Sequence, residues 1–533
     1  MTVYAPEEFT AEESEVLRRY FTNLDGPVFA LVNLPEVVKG ALFARYSRTH
    51  KSLRRLFLDE FVGELDIAGD QGVDATIGLE RAEELYEKVF FEYGDDSVAQ
   101  LGGVHLACEQ SSNVLTKILE WGRLASYLEQ STRYIAYDAR LAGRYRFYRD
   151  AEVLNSQFGT RYVGDMDRMF DSYSHLMEKV TEHVRTSIKR DPADSDFVFR
   201  MATRAKALDA IRGVLPAASL SNVGIYGSGQ SYEAMLIRMR SHPLPEARHY
   251  ADLMLEELRK VIPSFLKRVD LADRGGRWSD YLSDTRESTS ELVSGLFAET
   301  PVDHSPPVVL TDFDPEGEDK MIGAICYSHT SLPETQIMQR VQRMSHAEKV
   351  AILKAYIGDR ENRRHRPGRA FERTDYRFDV LSDYGAFRDM QRHRLLTIEW
   401  QPLSANHGYT RPDLIDEAGM TPVFDEVMNR SAALYDDLKP EFPQQATYAV
   451  SMAYRVRYVM QFNAREAMHM LELRSSPQGH PAYRRVAIEM HRLIGEQAGH
   501  KAVAEAMTHL TTEEPELERL AAERRAEAKR GGK

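Results

Sequence analysis

The sequence predicts an α+β, helix-rich protein made of two tandem domains. Three observations carry that expectation: the length of the chain, the helical spacing of apolar residues in both halves, and a set of short segments that occurs twice in the same order. A chain of 533 residues is too long for one ordinary core, so at least two domains are expected. Hydrophobic residues make up 43% and charged residues 28%, the balance of a soluble globular protein.

The elements follow in chain order. Val28 to Val32 reads as a strand, and 76 to 92 and 164 to 188 as helices. In 247 to 262, Tyr250, Met254, Leu258 and Val261 share one helical face, and Pro263 ends the run. Residues 270 to 305 are rich in Asp, Ser, Arg and Gly and close on Ser305-Pro306-Pro307, a linker composition. Val308 to Thr311 and Tyr376 to Leu381 read as strands, and 423 to 438 and 482 to 497 as helices. The tail from Glu513 to Lys533 is almost all Glu, Arg, Ala and Lys, the composition of a solvated helix or frayed end.

Two pairs of segments mark the duplication. GALFARYSRTH (Gly40 to His50) and GAICYSHTS (from Gly323) each place Tyr-Ser shortly after Gly-Ala. EAMLIRMRSHP (Glu233 to Pro243) resembles EAMHMLELRSSP (Glu466 to Pro477), aligning Arg240 with Arg474. The expected domains are 1–305, including the linker at about 270–305, then 306–512, then a charged tail at 513–533.

Composition also excludes. No apolar run reaches the length needed to span a bilayer, and the N-terminal MTVYAPEEFTAEE lacks the basic and apolar regions of a secretory signal. Two cysteines, Cys108 and Cys326, are too few for a disulfide framework, and no Cys/His cluster has zinc-ligand spacing, so no metal is expected. A reducing cytoplasm fits this usage. A net charge of -13 argues against long nucleic acid as the main partner. It leaves room for a small anion held by a few arginines.

Three clusters carry potential chemistry: Arg392-His393-Arg394, Ser131-Thr132-Arg133-Tyr134, and Asn463-Ala464-Arg465 followed by Arg474. Adjacent guanidiniums repel one another, and a bound anion offsets that repulsion while matching their forked donors. The competing reading is a solvated or ion-paired helix face, with His393 as a structural histidine. The residues alone point to an anion-binding helical protein.

Together the clusters resemble the flavin-dependent thymidylate synthases, whose motif has the form RHRxxSxNExSxRY. An upstream GHETPFEH, then RxVLP, then NAR and a later Arg complete that family's pattern. In the first half, WGRLASYLEQSTRY (Trp121 to Tyr134) keeps Arg123, Ser126, Glu129, Ser131, Arg133 and Tyr134, with Trp121-Gly122 in place of Arg-His. EYGDDSVAQL (Glu92 to Leu101) stands at the GHETPFEH position, and RGVLP (Arg212 to Pro216) matches RxVLP. Gly229-Gln230-Ser231 stands where NAR is expected, and Arg240 at the later Arg. In the second half, Phe371-Glu372, Arg392-His393-Arg394, Asn463-Ala464-Arg465 and Arg474 match, while QPLSANHGY (Gln401 to Tyr409) and TYAVS (from Thr447) replace the other motifs. Asp389 stands near RHR where the family usually has Gln.

The losses are complementary, and the resemblance implies one composite site between unlike halves. Ser131, Arg133, Glu129, Arg212, Arg474 and Arg392 would bind a dUMP-like nucleotide, with Arg474 and Arg392 also catalytic. His393, Arg394, Glu372, Asn463 and Arg465 would face FAD. The implied reaction is reductive methylation of dUMP to dTMP, with methylenetetrahydrofolate and NADPH as co-substrates and no enzyme nucleophile. The implied assembly is a homodimer forming a pseudo-tetramer of domains. A related flavoenzyme on another nucleotide, and a non-catalytic scaffold of the same fold, are the alternatives.

Overall fold

The computed structural model describes residues 7–26, 29, 31–36, 38–39, 42–43, 51–60, 62, 100–133, 135–140, 143–302 and 304–531. The helix expected at 76 to 92 lies outside them, as do Tyr134, most of Glu92 to Leu101 and part of the strand expected at Val28 to Val32.

In the first repeat, β1 (Gly103–Ser112) runs into α1 (Asn113–Leu119), followed by β2 (Ala125–Glu129). Two helices, α2 (Gly159–Ser187) and α3 (Asp196–Ile211), lead to β3 (Leu220–Ser228), α4 (Gly229–Arg240) and α5 (Pro245–Arg259). Then comes α6 (Arg277–Phe297). The second repeat opens on β4 (Val308–Phe313) and continues through β5 (Asp375–Asp383), α7 (Tyr384–Met390) and β6 (Thr397–Trp400). It ends with α8 (Thr421–Leu438), β7 (Arg455–Asn463), α9 (Ala464–Arg474) and α10 (Pro481–Glu496), and α11 (Leu520–Gly531) closes the described chain.

The duplication shows in the strand orders. One sheet runs β1-β3-β2 and the other β4-β5-β7-β6, so β5, β7 and β6 repeat the order of β1, β3 and β2. Corresponding helices are capped alike: Ser112 and Asp383 cap α1 and α7, and Ser228 and Asn463 cap α4 and α9. In each case a side-chain oxygen takes a first-turn amide that the helix leaves unpaired. The caps also refine the alignment. Ser228 is the counterpart of Asn463, so the segment matching NAR is Ser228-Gly229-Gln230, one residue earlier than sequence alignment gives. The difference is absorbed because α4 has 12 residues and α9 has 11.

The strands follow a period of two. On β7, Val456, Tyr458, Met460 and Phe462 point inward, and Phe462 and Met460 pair with Tyr376 and Phe378 of β5. On α2, Tyr162, Met166, Met169, Tyr173, Val180 and Val184 recur at helical spacing and are fully buried, each contributing about 1.5–3 kcal/mol by leaving water.

The chain forms two compact units. The first holds Met1–Glu109, Gly122–Glu129 and Asn222–Thr300. The second combines Gln110–Trp121 and Gln130–Ser221 from the first repeat with Pro301–Lys533. Inside this second unit the two RxVLP-like segments lie antiparallel. Ala453 and Met452 donate to the carbonyls of Gly213 and Leu215 at 2.8 and 2.9 Å, and Ala217 and Ala218 donate to Val450 and Tyr448 at 2.8 and 3.0 Å. Gly213 permits this approach, since a Cβ there would meet the Ala453 Cβ at 3.0 Å.

The segments read as a linker and as a charged tail are both helical. The segment read as a linker, 270–305, contains the 21-residue α6. No residue of α6 is buried, which is why its composition resembles a linker. The tail forms the helix α11, with none of residues 520–530 buried, and it lies along α3, where Arg524 binds Asp194 at 2.5 Å.

Candidate functional site

Within the second unit, three short elements deliver arginines to one place. Helix α3, capped by Ser195, carries Asp209 in its last turn and passes into a single 3-10 turn that carries Arg212. Helix α7 carries Asp389 and stops just before Arg392. Helix α9 ends at Arg474, where its negative pole favours a cation. Ser131 and Arg133 arrive on the turn after β2, with the Ser131 hydroxyl accepting the Arg133 amide at 3.2 Å.

The arginines from both repeats converge on two buried carboxylates. Arg133 makes a fork on Asp209, with Nε and Nη2 at 2.8 and 2.5 Å. Asp389 takes Arg212 at 3.3 Å, Arg392 at 3.2 Å and Arg474 at 3.8 Å. Tyr483 joins the two groups: its hydroxyl accepts from Arg133 at 2.9 Å, and Arg474 lies 5.4 Å from its ring centroid. Burial would raise the carboxyl of Asp389, but Arg392, Arg212, Arg474 and Arg133 outweigh it and hold the group well below the usual range. Burial likewise opposes ionisation of Asp209, yet Arg133, His480 and Arg519 bring it down to about 2.

Positive charge remains in excess. Five guanidiniums, those of Arg133, Arg212, Arg392, Arg474 and Arg519, share the carboxylates of Asp209 and Asp389. Asp383 lies beside Arg212 as a third carboxyl, its affinity for a proton raised by burial and lowered by Arg212, and even with it the guanidiniums outnumber the carboxylates. Among the described residues, Nη2 of Arg212 is buried without a hydrogen-bond partner. Leaving such a donor unmade costs about 1–3 kcal/mol, and more for a charged group, so the arrangement calls for an acceptor. A cavity of about 430 Å³ adjoins it, lined by Asp209, Arg212, Asp383, His480, Arg484 and Glu518 among others.

His393 sits deeper, with both ring nitrogens engaged. Arg474 donates from Nε to His393 Nε2 at 3.0 Å, so the imidazole proton is on Nδ1, where Glu466 accepts it at 3.0 Å. Burial lowers the histidine to about 4, which keeps the ring neutral at pH 7. Both ring nitrogens are thereby engaged, one of them by the Arg474 guanidinium. Among the described residues, His393, Glu466 and His469 bring potential metal-ligand atoms within 4.8 Å of one another. Ligation through Nδ1 would force the proton onto Nε2, against the Arg474 N–H, so the geometry reads as a hydrogen-bonded relay.

The remaining predicted residues are more dispersed. Asn463 is engaged as the cap of α9, accepting from the amide of Glu466 at 2.9 Å. Arg465 donates to the Pro367 carbonyl at 3.0 Å and lies 3.6 Å from Glu372, which also pairs with Arg369. Arg394 is half-buried. Glu129 lies on β2 in the first unit, while the other predicted site residues belong to the second. Sequence reasoning missed Asp209, Tyr483, His480, Glu466 and Arg519. Asp209 and Glu466 stand within three residues of Arg212 and Asn463, a helical-turn spacing that gave a usable signal. Tyr483, His480 and Arg519 had none.

The sequence matches the thymidylate synthase complementing protein family twice, over residues 44–264 and 309–498. The chain belongs to that family. Both matches span most of their repeat, so the thymidylate synthase complementing fold is present in tandem, as an α+β and helix-rich pair. The chain is similar to a UPF0159 protein of Chlamydia pneumoniae, 39% identical over 92% of this chain and 93% of the relative. It is also similar to UPF0159 proteins of Chlamydia muridarum, 36% identical over 98% and 99%, and of Thermoplasma acidophilum, 31% identical over 93% and 99%. Among the described residues no helix is long and apolar enough to cross a membrane.

Proposed function

We propose that the chain is a flavin-dependent thymidylate synthase-like enzyme that methylates a dUMP-like nucleotide at one composite site. The observation that carries this reading is the convergence of Arg133 and Arg212 from the first repeat with Arg392 and Arg474 from the second. A dianionic phosphate is the natural partner of that positive excess, with Arg212 Nη2 as its waiting donor. Ser131 adds a hydroxyl beside Arg133. Arg474, oriented by His393 and Glu466, is placed to polarise a pyrimidine carbonyl, so that carbon 5 gains nucleophilic character without an enzyme thiol.

The residues present fit a flavin dinucleotide. Arg465 stands in the first turn of α9, where the helix pole and a guanidinium together suit a diphosphate, and the half-buried Arg394 is the other cation assigned to the flavin by the resemblance. Those two, with Glu372 and Asn463, would hold FAD. Bound FAD would supply the hydride, and methylenetetrahydrofolate the carbon. Two experiments test the reading: flavin absorption of the purified protein with and without dUMP, and growth of a thymidine-requiring strain. A flavin band that shifts with dUMP, together with growth, is expected. A protein that binds neither FAD nor dUMP would favour a scaffold of the same fold.

A further inference from the structure

The family matches end at residue 498, yet the chain beyond them reaches the arginine cluster. Arg519 is buried, its side chain 5% exposed. It donates from Nη1 to the backbone carbonyl of Arg133 at 3.0 Å and from Nη2 to Asp209 Oδ1 at 3.4 Å. It thus ties the turn that carries Arg133 to the same carboxylate that fixes the Arg133 guanidinium.

The segment around it is anchored on both sides. Lys206 binds Glu518 at 3.0 Å, and Arg484 donates to the Glu513 carbonyl. Beyond Arg519, Arg524 pairs with Asp194, and the Ser195 hydroxyl donates to Glu527 at 2.5 Å. Glu514, Pro515 and Glu518 line the cavity beside Arg212. The tail therefore supplies both a wall of that cavity and a second cation on Asp209.

We infer that Arg519 is a positioning residue of the nucleotide site, acting by holding Arg133; the cavity that Glu514, Pro515 and Glu518 help to line meets the proposed site at Arg212. The inference rests on the nucleotide reading above. Its physical basis is the backbone of Arg133. A side chain that must meet a phosphate within hydrogen-bond distance needs a fixed root, and the turn after β2 has no helix or sheet of its own at that point. The Arg519 guanidinium supplies the missing tie. It also makes Asp209 a carboxylate shared by two cations, so the pair of guanidiniums keeps a net positive charge beside it.

The test uses the full chain carrying Arg519→Ala or Arg519→Lys, alongside Arg133→Ala and the double variant. Binding of dUMP and of deoxyuridine is measured by calorimetry, and the thermal midpoint checks folding. Arg519→Ala is expected to weaken dUMP binding about ten-fold while changing deoxyuridine binding less than about two-fold, since one charge-assisted hydrogen bond is involved. Arg519→Lys, which keeps the charge and loses the fork, should fall between. The double variant should bind dUMP no more weakly than Arg133→Ala alone, because the two residues act through one guanidinium. Wild-type-like dUMP binding by Arg519→Ala would overturn the inference. So would equal loss for both ligands, or additive losses in the double variant. A wild-type chain that binds no dUMP would instead overturn the nucleotide reading, and the inference with it.

Discussion

Asp389 is the residue on which the site's charge balance turns. It stands where the resembled family usually has Gln, and it draws Arg212, Arg392 and Arg474 together in place of a ligand. Replacing it, Asp389→Gln, should lower stability by about 3–5 kcal/mol, because the Arg212 and Arg474 guanidiniums, both largely buried, lose a carboxylate partner. The same change should tighten binding of inorganic phosphate. Chemical denaturation and phosphate titration would check both, and unchanged phosphate affinity would mean that Asp389 does not compete with an anion. The buried histidines make a second prediction. Burial lowers His393 to about 4 and His480 to about 3, from an ordinary 6.5. Below pH 6.5 the unfolded chain binds protons that the folded chain refuses. Stability should therefore fall as pH drops from about 6.5 toward 4, with a slope of roughly 1.4 kcal/mol per pH unit for each histidine. Thermal midpoints measured between pH 7.5 and 4.5 would show it, and a flat profile would contradict the neutral assignments. Arg133, Arg212, Arg392 and Arg474 were legible as residues, since they sit in short ordered motifs. Their buried counter-ions were not, because an Asp that will pair across unlike repeats carries no local mark of its partner.

At the scale of elements, helices were easier to read than strands. The amphipathic runs at 164–188, 247–262, 423–438 and 482–497 fall on α2, α5, α8 and α10, apart from a few end residues. Val308 to Thr311 and Tyr376 to Leu381 lie within β4 and β5. The strand β3 was missed because Gly224 and Gly227 break its apolar pattern, and β7 because arginines and a glutamine fill its outer face. The tail was legible as a solvated helix, but its docking on α3 was not. Its apolar content is low, and it is held by ion pairs, which composition does not report. Close approach between elements supplies a test. A Cβ at Gly385 would lie 3.2 Å from Arg212 Nε and Nη2 and 3.0 Å from Asp383 Oδ1. Gly385→Ala should therefore cost about 1–3 kcal/mol and weaken dUMP binding, because the guanidinium must shift. Gly164→Ala on α2 meets nothing within 4 Å and should stabilise by up to about 1 kcal/mol. Denaturation curves of the two variants separate crowding at the site from a general intolerance of glycine replacement.

Across the whole molecule, duplication explains why neither repeat keeps a full motif. Two equal copies would build two reciprocal sites. Here the second compact unit draws its arginines from both repeats, and on the proposed reading each copy would serve only part of one site. Selection on a single composite site leaves the unused part of each motif free to change. On the proposed reading that would account for Trp121-Gly122 opposite Arg392-His393, and for Thr447 opposite Arg212. The order of motifs made the tandem fold legible. The merging of chain from both repeats into one unit was not, because it depends on long-range packing that no local pattern encodes.

The central claim is that one nucleotide site uses arginines from both repeats. Calorimetric titration of dUMP into the wild-type chain, Arg133→Ala and Arg474→Ala tests it most directly. The account predicts one dUMP per chain and a loss of about 10- to 100-fold for each single variant, from one arginine of each repeat. Two equivalent sites per chain, or full affinity after either substitution, would contradict it.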